Sequence, residues 1–342
     1  MKALRLIAHG APGELRHEEV PTPEPGPGDA LVRVRACGLN RLDLWVEEKG
    51  LPIPILLPRI QGCETAGEIA ALGPEVTGWS PGDRVCISSN LACGGCEACR
   101  AGEESMCSRN RIFGVETDGG FAEYACLPAR HLVPLPRELG FEAAAGLSLA
   151  ASTAMHMLTD RTRVRAGDWV LVIAGASGVG SAAIQIARQL GARVLATGSS
   201  EAKRSLALAL GAEAALDPAD PSWPGEVRRL TGKRGVDIVV EHVGGPLLAQ
   251  AFDCLARGGS IVTCGATAGR EISLNLWPLF VKQQRLIGSY GRNRRDLVET
   301  LRWAAEGRLR PVVDKVFPLS DGVAAFKALR QREVLGKVVL CP

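Results

Sequence analysis

From residue 169 to residue 291 the sequence alternates short, continuously apolar runs with amphipathic ones: WVLVIAG, SAAIQIARQLG, RVLAT, EAKRSLALALG, VDIVVEHV, PLLAQAFDCLARG, SIVTCG, WPLFVKQQ and LIGSYG. Uninterrupted Val, Ile and Leu runs fit strands buried on both faces. Separated by helices, such strands pair in parallel, because each crossover helix lies over the sheet. This part of the chain is therefore expected to form a doubly wound parallel sheet. The first 140 residues have another texture: ALVRVRACGL, GEIAALG, DRVCISS and AEYACL alternate with turn sequences such as PEPGPGD and WSPGD, the pattern of a mainly β domain. From about Phe141 the pattern turns helical, in EAAAGLSLAASTAMHMLTD, and beyond residue 290 RRDLVETLRWAAEGRLRP, VFPLSD and GKVVLCP mix helix and strand. The expected organisation is α/β, with a β-rich domain over residues 1–140, a parallel-sheet domain over 141–290 and a return to the first domain over 291–342.

Composition narrows the function classes. At 342 residues with 46% hydrophobic and 23% charged residues, the chain suits a soluble two-domain protein. A net charge of +3 is too small to call for a polyanionic partner, and 4% aromatic residues argue against base-stacking platforms, so no nucleic-acid partner is expected. No stretch approaches the roughly 20 apolar residues that span a bilayer, and MKALRLIAHG has neither an apolar core nor a cleavage site, so no membrane association is expected. Of eleven cysteines, seven are scattered singly among apolar runs, which suits a reducing compartment and a cytoplasmic enzyme.

The other four cluster near residues 90–110. Cys93, Cys96, Cys99 and Cys107 lie in CGGCEACRAGEESMC, spaced C-x2-C-x2-C-x7-C. Four thiolates make a closed tetrahedral zinc site with no position left for substrate, and the lobe between them is too short and polar to bury a core of its own. One structural zinc is expected. Disulfides are the alternative, which the spacing and a reducing compartment disfavour.

After WVLVIAG the chain reads Gly175-Ala176-Ser177-Gly178-Val179-Gly180 and enters a helix. A glycine-rich turn from strand to helix lets backbone N–H groups approach a pyrophosphate, so Ser177, Gly178, Val179 and Gly180 are candidate dinucleotide contacts, with Ser177 at the usual second glycine. An NAD site carries an acid at the end of the next strand. Here Gly198 takes that place, followed by Ser199, Ser200, Lys203 and Arg204, which suits a 2′-phosphate and favours NADP(H) over NAD(H). The plainer alternative makes Lys203 and Arg204 the solvated face of a helix.

A β-rich first half, a cysteine lobe near residue 100, a dinucleotide fold from about residue 170 and the closing LGKVVL together resemble the medium-chain dehydrogenase/reductase superfamily, which includes zinc-type alcohol dehydrogenases and quinone oxidoreductases. The resemblance implies a GroES-like catalytic domain, a Rossmann cofactor domain, a cleft between them and a homo-dimer or homo-tetramer. It places Thr153, Val243, Gly244, Gly265 and Ala266 at the nicotinamide end of the cofactor. Catalytic-zinc ligands of alcohol dehydrogenases map to Asn40 in GLNRLD, Cys63 in GCE, and Leu149, with Glu64 retained; Leu42 replaces the hydroxyl residue of the proton relay. GLNRLD instead resembles the G-V-N-x-x-D of zinc-free quinone oxidoreductases.

Asn40, Asp43, Cys63 and Glu64 are accordingly the candidate catalytic set. Asn40 would position cofactor or substrate; Asp43 would orient it or merely cap the following helix. Cys63 is either a small buried residue or a thiol facing the cleft. The expected activity is NAD(P)H-dependent hydride transfer to a small-molecule quinone, enone or other activated carbonyl compound. One alternative is a zinc alcohol dehydrogenase with unusual ligands drawn from Cys37, Asp43, Cys63 and Glu64. A second is a non-enzymatic NADP(H)-binding or thiol-sensing protein.

Overall fold

The computed structural model describes all 342 residues, Met1–Pro342. The chain divides into two compact units. The first comprises Met1–Ser152, Arg292–Gly307 and Pro311–Pro342; the second comprises Thr153–Gly291 and Arg308–Arg310.

In the first unit the long strand Asp29–Leu39 organises a seven-stranded sheet. One side pairs antiparallel with Glu64–Leu72; the other pairs with Tyr124–Pro128 along its first half and with Lys337–Cys341 along its last residues. Its sequence explains both halves. Exposed Arg33 and Arg35 alternate with buried Val32, Val34 and Ala36, the period of a strand with one wet face, whereas Ala36–Leu39 is buried throughout. That buried end lies under the helix Phe141–Ala145, which packs so closely that a Cβ on Gly38 would stand 2.3 Å from the Ala145 carbonyl oxygen. The core behind the sheet includes Phe121 and Phe326, which meet edge to face at 5.8 Å. Lys2–Ala8, Glu14–Glu19 and Arg59–Ile60 form a separate three-stranded sheet.

The second unit holds a six-stranded sheet, parallel at every pairing, in the order Ala214–Leu216, Arg193–Thr197, Trp169–Val172, Val236–Glu241, Leu255–Thr263 and Arg285–Gly288. The direction of strand succession reverses between Trp169–Val172 and Val236–Glu241. Open α/β sheets bind ligands beyond the carboxyl ends of strands at such a point.

Two local expectations need correction. The first unit runs through Ser152 instead of stopping at residue 140, because Phe141–Ala145 packs on its strands and Leu149 and Ala150 bond to Glu64. The helix expected over PLLAQAFDCLARG ends at Cys254, and Leu255 already belongs to the next strand, paired with Val236. The stretch around Met157, expected to be helical, is helical, and His156–Arg161 takes the π form.

Candidate active site and metal centre

Three strand ends of the first unit converge on a buried polar cluster. Asn40 follows the end of Asp29–Leu39 and caps the helix Arg41–Glu47, Glu64 opens its strand opposite Gly38, and Lys337 opens the strand whose next residue pairs with Leu39. Lys337 Nζ donates to Glu64 Oε2 at 2.6 Å, Asn40 Oδ1 at 2.7 Å and the Leu39 carbonyl at 2.5 Å. Asn40 Nδ2 donates to Glu64 Oε2 at 2.9 Å, and the backbone N–H groups of Leu149 and Ala150 donate to Glu64 Oε1 at 2.7 and 3.0 Å. A carboxylate with no exposed surface is thereby compensated by one cation and three N–H donors, the condition under which a buried charge is tolerated. Sequence reading missed Lys337; the available signal was a lysine entering an otherwise apolar closing strand.

Asp43 completes a capping box, its Oδ2 accepting from the Asn40 N–H at 2.8 Å. Its Oδ1 is buried without a hydrogen-bond partner. Burial pushes this carboxyl up to about 7, partly offset by the Asn40 N–H and by Lys337. Cys63 points elsewhere: it packs with Leu6, Val46 and Val115, beside partly buried Leu42 and Leu149, and burial raises its thiol well above the ordinary range. The Cys37 thiol is likewise buried, bonded to Thr65 Oγ1 at 3.2 Å and shifted upward. Neither sulfur is poised as a thiolate. The set Cys37, Asp43, Cys63 and Glu64 does not close on a common ion; the metal-ligating group that does is the cysteine lobe.

There the Sγ atoms of Cys93, Cys96, Cys99 and Cys107 all lie within 4.8 Å of one another, with Cys96–Cys99 at 3.4 Å and Cys93–Cys99 at 3.9 Å. A tetrahedron of Zn–S bonds places its sulfurs about 3.8 Å apart, whereas a disulfide needs about 2 Å. The donor set fits zinc, and none of the eleven cysteines is in a disulfide. The N–H of Gly95 holds the Cys93 thiol down to about 6, and the Arg109 guanidinium donates to the same sulfur at 3.2 Å. The lobe also anchors a helix. Asn293, which caps Arg294–Ala305, accepts from the Ser105 N–H at 2.9 Å and donates to Glu103 at 3.0 Å, while Arg295 pairs with Glu103 at 2.8 Å.

In the second unit Ser177 caps the helix Gly178–Gln189, its Oγ accepting from the Gly180 N–H at 2.9 Å. A Cβ on Gly180 would stand 2.3 Å from the Ala174 carbonyl oxygen, so only glycine allows this turn to close. The N–H groups of Gly178 and Val179 open the helix with no acceptor in the chain, the arrangement that receives a pyrophosphate. The Ser177 hydroxyl is engaged inside the protein, since it also meets His242 Nε2 at 2.8 Å, and burial pushes His242 down to about 4. At the neighbouring strand end the N–H groups of Val243 and Gly244 each donate to Glu241 Oε1 at 2.6 Å, and Thr263 Oγ1 donates to Oε2 at 2.8 Å. Glu241, absent from the candidate residues, thus shapes the turn carrying Val243 and Gly244. Gly265 packs on the His242 carbonyl, Ala266 lies against Gly244, and Thr153 is buried in the helix Ala150–Met155.

The end of Arg193–Thr197 bears no acid. Lys203 Nζ reaches Ser199 Oγ at 3.4 Å beside the Ser200 cap. Arg204 turns inward instead, to the Gly198 carbonyl at 3.0 Å, Asp217 at 2.8 Å and Glu201 at 3.1 Å. Ser199 and Lys203 stay together at the strand end; Arg204 does not join them.

Two domain families match the chain: the alcohol dehydrogenase GroES-like domain over residues 26–137 and the zinc-binding dehydrogenase domain over residues 178–306. The chain is 34% identical over 328 residues to an alcohol dehydrogenase of Geobacillus stearothermophilus, covering 95% of this chain and 96% of that one. It is 32% identical over 341 residues to an acryloyl-coenzyme A reductase of Metallosphaera sedula, covering 99% of each. A solved structure described as an NAD-dependent alcohol dehydrogenase superposes with a TM-score of 0.96 over 100% of both chains, at 43% identity.

Proposed function

The chain belongs to the medium-chain dehydrogenase/reductase superfamily and is an NAD(P)-dependent oxidoreductase, and from that premise we propose that it uses NADPH to reduce a quinone, enone or other activated carbonyl compound without a conventional catalytic zinc. The observation that carries this reading is the saturation of the Asn40–Glu64–Lys337 cluster. Both Glu64 oxygens and both ends of the Asn40 amide are bonded within the chain. Of the three ligand positions, one is thus a committed amide, one a buried neutral thiol and one the aliphatic Leu149. A catalytic zinc asks for three N, S or O ligands around an open fourth position.

When bound, the reduced nicotinamide supplies the hydride. The chain's part is to bind and orient. Gly178 and Val179 offer N–H groups to the pyrophosphate, and Ser199 with Lys203 favours a 2′-phosphate where an acid would repel it. Leu42 and Leu149, both partly buried, offer the substrate an apolar wall. Without a Lewis acid, the acceptor carbon must be electrophilic already, as it is when conjugated to a carbonyl; the acryloyl-coenzyme A reductase relative acts on a compound of that kind. Lys337 is held by three acceptors, so we assign the accompanying proton to water.

A second reading, alcohol oxidation with NAD+, is favoured by the 43% identical NAD-dependent alcohol dehydrogenase. Steady-state rates separate the two. We expect NADPH oxidation with enones or quinones at a kcat/KM at least about tenfold above that with NADH. Lys203→Ala should remove most of that preference while leaving NADH kinetics intact. Turnover of simple alcohols with NAD+ alone would reject the reductase reading.

We further propose that the enzyme is cytoplasmic, in keeping with eleven cysteines of which none is in a disulfide and with no helix long and apolar enough to cross a membrane. We also propose that it forms a homo-oligomer through the edge strand Arg285–Gly288 and the adjacent helix Leu276–Val281. That surface exposes Leu276, Phe280, Leu286 and Trp277, the last at 69%. In sedimentation velocity, Trp277→Asp should shift the protein toward monomer; an unshifted oligomer would rule this edge out.

A further inference from the structure

We propose a second anion site on the second unit, at the end of its sheet opposite the dinucleotide turn, for a small molecule carrying two or more phosphate groups. A cavity of about 330 Å³ there is lined by Arg228, Lys233, Arg234, Arg257 and Lys282 over a floor of Leu255 and Ala256. The topology fixes its position. Lys233 and Arg234 precede the strand Val236–Glu241 and Arg257 lies near the start of Leu255–Thr263, whereas Val243, Gly244, Gly265 and Ala266 follow the opposite ends of those strands.

The five cations come from four segments, and two of them, Arg228 and Arg257, are held by side-chain bonds to neutral carbonyls that leave their charge uncompensated. Arg228, on the last turn of the helix Trp223–Leu230, donates to the Lys233 carbonyl at 2.5 Å, and Arg257 donates to the Val281 carbonyl at 3.1 Å. The Gly258 N–H bonds the Lys282 carbonyl at 2.8 Å, which ties Lys282 to the strand that bears Arg257. Only Arg234 pairs with a carboxylate, Asp237, at 2.5 Å. Three other arginines of this unit, by contrast, sit in ion pairs, Arg193–Glu213, Arg204–Asp217 and Arg229–Glu226. Four like charges gathered around one concavity repel one another until a polyanion enters, and the buried Leu255 and Ala256 beneath them keep water from screening the contact on that side.

Inorganic triphosphate is the probe, titrated calorimetrically into protein saturated with NADPH so that the dinucleotide turn is filled. We expect saturable binding of one equivalent per chain, weakened by salt. Arg257→Gln with Lys282→Gln should weaken it at least about tenfold with NADPH affinity unchanged, and Arg228→Gln with Lys233→Gln, from the other wall, should do the same. Two results would each overturn the proposal: no saturable binding to the NADPH-loaded protein, or binding that both double variants retain and Lys203→Ala abolishes. Because NADPH affinity is read separately, failure of this site leaves the reductase reading standing.

Discussion

Replacing Lys337 with methionine is expected to lower the free energy of unfolding by about 3–5 kcal/mol, the cost of leaving a buried carboxylate without its cation. Glu64 has no exposed surface, and Lys337 is the only cation paired with it. Its three N–H donors would remain, but these dipoles do not neutralise the charge. Adding Glu64→Gln should recover much of the loss. A glutamine keeps an acceptor for the Leu149 and Ala150 N–H groups, and Asn40, released from Lys337, can turn its amide so that its oxygen accepts from the new amide. The denaturant midpoints of wild type, both single variants and the double variant form a cycle whose coupling should be large. Additive losses, or a single-variant loss under about 1 kcal/mol, would show that the cluster is not a coupled unit.

The second large effect concerns the cysteine lobe. Cys107→Ser removes one of four thiolates from a site whose intervening residues bury almost nothing, so the metal should be lost and the segment from Cys93 to Asn110 should unfold locally. The damage should travel further. Ser105, Glu103 and Glu104 hold the first residues of the helix Arg294–Ala305, through Asn293, Arg295 and the Arg294 N–H. Amide hydrogen exchange should therefore quicken by at least about a hundredfold both in the lobe and in the first turn of that helix, corresponding to about 3 kcal/mol of local stability. Exchange that quickens in the lobe alone would mean that the helix stands without it.

Much of this molecule is legible in the sequence because its elements agree with their local signals. The strand Trp169–Val172 is apolar throughout and buried throughout, the glycine-rich run after it turns into a helix at Gly178, and the C-x2-C spacing places four sulfurs within reach of one ion. What escapes sequence reading depends on where side chains turn after the chain has folded. Arg204 looks as available to a phosphate as Lys203 until Asp217, at the end of the next strand, takes its guanidinium. Lys337 and Glu241 resemble ordinary polar residues at strand ends; the convergence of strands distant in sequence makes Lys337 the partner of Glu64, while Glu241 becomes the clasp of the Val243–Gly244 turn by folding its side chain back over the next residues. Likewise Cys63 adjoins Glu64 in sequence, but neighbouring residues of an extended chain face opposite ways, which sends the thiol into an apolar cluster and the carboxylate into a polar one.

The central claim, hydride transfer without a conventional catalytic zinc, is tested most directly by the metal content of fully active protein. Elemental analysis of enzyme purified without chelator and turning over an enone with NADPH should find one zinc per chain, the ion of the Cys93, Cys96, Cys99 and Cys107 lobe. Two zincs per chain, with activity falling in step with loss of the second, would contradict it.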